Sequence, residues 1–68
     1  MQREKELALR DELVRVRRAH RELDEEIVAA EISGTVDQLT IRRLKKQKLA
    51  LRDRIEAIED QLTPDIIA

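Results

Sequence analysis

A chain of 68 residues, 43% of them charged but with a formal net charge of only -1, has room for one small domain and no dominant field of either sign. It has no Cys, which excludes disulfides and thiolate metal sites, and its single His cannot build a histidine-rich zinc centre. Phe, Tyr and Trp are absent, so the apolar mass is aliphatic and suits helix–helix layers, and oligomerisation is the stabiliser left for so small a core.

Residues 3–32 lack Gly and Pro and are rich in Glu, Arg, Leu and Ala, which are good helix formers. Leu9, Leu13, Val16, His20, Leu23, Ile27 and Ala30 recur at alternating spacings of four and three, a heptad seam that passes through one histidine. Leu7, Val14, Val28 and Ile32 lie off that seam and widen the apolar face. Glu6–Arg10, Asp11–Arg15 and Arg21–Glu25 have the spacing of stabilising helix pairs, each worth about 0.3 kcal/mol. The segment before them, Met1-Gln2-Arg3-Glu4-Lys5, has mixed charge rather than the apolar run of a signal peptide.

Ser33-Gly34-Thr35 is the predicted turn, residues 33–35, with Gly34 closing the first helix in the left-handed conformation. Thr35 and Gln38 match a capping box for a second helix over residues 36–62, with Asp37 in its first turn. Ile41, Leu44, Lys48, Leu51, Ile55, Ile58 and Leu62 repeat the heptad seam, this time through a lysine. Thr63-Pro64 ends the helix, leaving a short tail over 63–68.

A turn this short forces antiparallel neighbours. Folding about Gly34 brings Leu23 near Leu44 or Lys48, and His20 near Lys48 or Leu51. The expected fold is therefore all-α, an antiparallel two-helix hairpin in a single domain, dimerising into a four-helix bundle to cover its remaining apolar surface.

The candidate functional residues are His20, Asp24, Arg42, Arg43, Lys45, Lys46 and Lys48. The five cations make a dense positive run on one helix, a pattern that can bind phosphate backbones. Against that, the hairpin places Glu22, Asp24, Glu25 and Glu26 alongside, so the run is expected to pair within the molecule, and there are no aromatics for base stacking. His20 and Lys48 fall at nearly the same level. They are expected to form a polar layer that sets register and oligomer state, with Lys48 reaching a carboxylate such as Glu22 or Asp24. Asp24, one turn beyond His20, can orient the ring, but an oriented His without a nucleophile is not a catalytic system. Position 17 is Arg, so the Glu-x-x-His spacing of di-iron bundles is missing, and one Gly cannot build a phosphate loop. No enzyme activity, cofactor or metal is expected.

Two blocks, His20-Arg21-Glu22-Leu23-Asp24-Glu25-Glu26-Ile27 and Leu44-Lys45-Lys46-Gln47-Lys48-Leu49-Ala50-Leu51-Arg52-Asp53-Arg54-Ile55, resemble the YdcH-like family of short bacterial proteins, a domain of unknown function. The resemblance spans roughly residues 16–60, and its second block is the more specific. It implies a small cytoplasmic two-helix hairpin and draws attention to His20 and the Lys45–Lys48 block, but it implies no activity or cofactor. The expected role is a self-associating structural or protein-interaction module, with an unidentified protein partner and no membrane insertion. The alternative is a nucleic-acid-associated protein using the basic face at 42–48.

Overall fold

A computed structural model describes the backbone of residues 2–62 and the side chains of residues 3–62; the sequence-predicted tail lies outside the described residues. Two helices, α1 (Gln2–Ser33) and α2 (Gln38–Leu62), pack antiparallel in an all-α hairpin measuring 49 × 23 × 15 Å. At roughly 1.5 Å per residue, α1 is about 48 Å long and α2 about 37 Å. Leu62 pairs in register with Leu9, so the first turns of α1 overhang the end of α2.

The seam buries Leu13, Ile27, Ala30, Ile41 and Ile58, the last completely. By register these form two groups. Ile27, Ala30 and Ile41 lie near the turn, and Leu13 and Ile58 lie near the open end. Between them His20, Leu23, Lys48 and Leu51 are only half-buried. Full burial of one Leu or Ile side chain contributes about 1.5–3 kcal/mol, so the two dry groups carry most of the hairpin's cohesion.

The turn departs from the sequence expectation. Gly34 has φ of +68° and its N–H donates to the Ala30 carbonyl at 3.3 Å, closing α1 with a left-handed cap. Thr35 does not cap α2: its N–H donates to Ser33 Oγ at 3.4 Å, and its hydroxyl lies 3.2 Å from the same oxygen. Ser33 Oγ in turn donates to the Ala30 carbonyl at 3.0 Å. The cap of α2 is Asp37, whose Oδ1 accepts the Thr40 N–H at 2.7 Å and whose carbonyl accepts the Ile41 N–H at 3.2 Å. These bonds to Thr40, first from its backbone and then from its hydroxyl, hold the Asp37 carboxyl below the usual carboxylate range. The helix therefore starts at Gln38 rather than at residue 36, because Ser33 engages the Thr35 hydroxyl before it can reach forward.

Candidate functional site

With Leu13 and Ile41 assigned to heptad position a, the residues flanking the seam fall at e and g. In an antiparallel pair each e position faces an e position and each g faces a g. Three of the ion pairs between the helices follow that rule. Glu12 and Arg54, both at g, make a two-bonded contact, with Arg54 Nε and Nη2 each 2.7 Å from a Glu12 oxygen. The hydrogen bond from Arg54 is the main reason the Glu12 carboxyl lies below its ordinary range, and the same bond raises the Arg54 guanidinium. On the other flank the e positions pair, Arg17 with Glu59 and Glu31 with Lys45, the latter at 3.1 Å. Each of these pairs joins opposite charges only when the helices run antiparallel in this register. The dense charge run at residues 42–48 does not signal these pairs; the e and g spacing on either side of the seam does.

The polar layer is asymmetric. Lys48 Nζ donates to Asp24 Oδ1 at 2.7 Å across the hairpin, while its stem stays partly covered. That hydrogen bond, followed by the charge of Lys48 and with a smaller contribution from His20, holds the Asp24 carboxyl below its usual range. Among the acids of the predicted run, Asp24 makes the contact rather than Glu22, Glu25 or Glu26, since only position 24 lies at e, directly beside the seam. His20 sits one turn away with its Nε2 buried and without a hydrogen-bond partner. A buried nitrogen left unsatisfied costs about 1–3 kcal/mol. The layer thus joins one interhelical ion pair to one unsatisfied nitrogen and is not a nucleophile–base arrangement.

The expectation that the basic run is absorbed by the acidic run is corrected in its extent. Lys48 meets Asp24 and Lys45 meets Glu31, but Arg42, Arg43 and Lys46 have no ion pair among the described residues. They occupy positions b, c and f, on the side of α2 turned away from α1. A shallow open depression of about 320 Å³ is lined by Arg43, Lys46, Gln47 and Ala50 on this outer side. Of the intrahelical pairs expected, Glu6–Arg10 forms at 3.2 Å; Asp11–Arg15 and Arg21–Glu25 are not among the ion pairs of the described residues.

Apolar surface is abundant. Leu7, Val14, Val28, Ile32, Leu39 and Leu49 are each 48–79% exposed. Among the described residues no group of three or more His, Cys, Asp or Glu side chains is placed to hold a metal ion, and no helix is long and apolar enough to cross a membrane.

The geometry defines a short antiparallel helical hairpin, keyed by e–e and g–g ion pairs, with one polar layer in an otherwise aliphatic seam. The family model described as a protein of unknown function, DUF465, matches residues 13–59, so the chain belongs to this family of short bacterial domains. The match covers both dry groups, the polar layer and the turn. Comparison with curated proteins and with solved structures returned no match.

Proposed function

We propose that the protein is a small self-associating helical module with a structural or protein-interaction role in the cytoplasm, and that it has no catalytic activity. The observation that carries this reading is the imbalance between the core and the surface. The hairpin buries five aliphatic side chains while six large ones stay about half exposed or more among the described residues. Surface of that kind is characteristic of chains that bury it against another protein. Dimerisation of two hairpins into a four-helix bundle is the simplest closure. Sedimentation velocity across a concentration series tests it: a concentration-dependent rise to a dimer or higher species is expected, and a monomer throughout the micromolar range overturns it.

A second reading, association with nucleic acid, is favoured by one observation, that Arg42, Arg43 and Lys46 have no ion pair among the described residues. Binding to generic duplex DNA that weakens steeply with salt, and that is lost on reversing the charges of Arg42, Arg43, Lys45 and Lys46, would support it. No binding at low salt would eliminate it.

A further inference from the structure

The exposed apolar residues are not scattered. Leu7, Val14 and Val28 on α1 and Leu49 on α2 all occupy heptad position b, one step outward from the e positions. They therefore share the flank on which Arg17 pairs with Glu59 and Glu31 with Lys45. On the opposite flank, beyond the Glu12–Arg54 pair, the corresponding positions carry Ala29, Ala50 and Ala57 between charged residues, with no large apolar side chain.

On the b and e flank the charge of each helix changes sign near its midpoint. In α1, Arg10, Arg17 and Arg21 are followed by Asp24 and Glu31; in α2, Arg42, Lys45 and Arg52 are followed by Glu56 and Glu59. A helix face of this kind is its own complement when it meets a copy of itself running the other way. The sharpest case is α2, where Arg42 and Glu56 stand one heptad on either side of Leu49, all three are exposed, and neither charge has an ion pair among the described residues.

We propose that this face is covered by a second copy of the chain, related by a two-fold axis perpendicular to the helices at the level of Arg21 and Leu49, with the two turns at opposite ends. The proposal rests on the self-association reading above and specifies its interface. The contact is isologous. Leu49 meets Leu49 of the partner subunit, and Arg42 meets Glu56 of the partner subunit. Val14 meets Val28 of the partner subunit, and Arg21 lies on the axis beside Arg21 of the partner subunit, one turn from the partner subunit's Asp24, the one like-charge contact of the face. The overhang of α1 carries Leu7 to the partner's turn, the region where Ile32 and Leu39 are exposed. One axis thereby covers the four b-position aliphatic side chains and brings Leu7 toward Ile32 and Leu39, which lie at position f on the outer side of each helix. The competing two-fold, parallel to the helices with both turns at one end, sets Val28 against Arg42 and Val14 against Glu56, opposing apolar groups to charges.

A charge exchange tests the interface. Arg42→Glu and Glu56→Arg, each at an exposed position, should leave helix content by circular dichroism unchanged and weaken the homodimer about tenfold or more. An equimolar mixture of the two variants should associate with close to wild-type affinity, because both cross-subunit contacts between positions 42 and 56 then join opposite charges. Leu49→Cys should form a disulfide-linked dimer under mild oxidation, since the residue lies on the axis. A wild-type dimer whose affinity does not respond to either variant, or variants that the mixture does not rescue, overturns this interface while leaving self-association standing. Efficient interchain cross-linking of a Val28→Cys/Arg42→Cys variant does the same by showing the turns at one end. A wild-type monomer at micromolar concentration removes both.

Discussion

The two ends of the seam and its middle are built differently. Near the open end Leu13 and Ile58 are buried, and near the turn Ile27, Ala30 and Ile41 are buried, with nothing polar in either group. The middle interposes His20, with an orphaned ring nitrogen, and Lys48, whose charge is held by Asp24 at the edge. The ends supply cohesion that would tolerate many registers, since an aliphatic seam shifted by one heptad still matches apolar to apolar. The middle carries the one charge contact made from within the seam, Lys48 to Asp24. The polar residues of the seam itself are confined to the middle, whereas ion pairs flank the seam along its whole length, Glu12–Arg54 and Arg17–Glu59 beside the open end and Glu31–Lys45 beside the turn.

The largest effect should come from breaking a dry end. Ile58→Ala removes the most buried side chain and is expected to cost about 2–5 kcal/mol, whereas Leu51→Ala in the half-buried middle should cost distinctly less; urea unfolding of both variants measures the contrast. Equal losses would erase the distinction between ends and middle. His20→Leu should act in the opposite sense, raising unfolding free energy by about 1 kcal/mol as the unsatisfied nitrogen is removed, while sedimentation shows a broader distribution of assemblies. A destabilised His20→Leu variant with unchanged assembly would mean that the ring is held by favourable contacts and sets nothing.

Gly34→Ala should cost about 1 kcal/mol through its positive φ alone, because a Cβ there meets no neighbouring atom; Gly34→Asn should recover part of that in thermal melts. The smallest effect is the pH dependence. Glu12, Asp24 and Asp37 all have depressed folded-state values, so their contribution is complete above the ordinary carboxylate range, near about 4, and is lost as pH falls through the depressed values. Melting temperature should be flat from neutral pH down to that range and fall below it. Asp24→Asn should make the acid decline shallower, and an unaltered slope would show that the Lys48 contact contributes nothing to folding.

Much of this was legible before any coordinates. Leu9 to Ala30 and Ile41 to Leu62 announce two helices by their spacing, and Gly34 marks the fold-back, because helical periodicity and left-handed turns are local properties of the chain. The cap of α2 was misassigned to Thr35 since capping chemistry fits both Thr35 and Asp37; the choice depends on Ser33, whose hydroxyl engages Thr35 from the far side of the turn. The partners of the basic run were only partly legible. The antiparallel register points to Glu22, Asp24, Glu25 and Glu26; of these Asp24 meets Lys48, while Lys45 goes to Glu31, outside that run.

By itself, then, the sequence determined the helices, their antiparallel order and the two ionisable residues in the seam, since each follows from spacing along one chain. The tertiary structure alone decided which charges meet. It gave Lys48 to Asp24 rather than to Glu22, left Arg42 without an ion pair among the described residues, and buried one nitrogen of His20 without a hydrogen-bond partner among them. Those outcomes depend on a few ångströms of side-chain reach across two helices, a distance that no periodicity within either helix encodes.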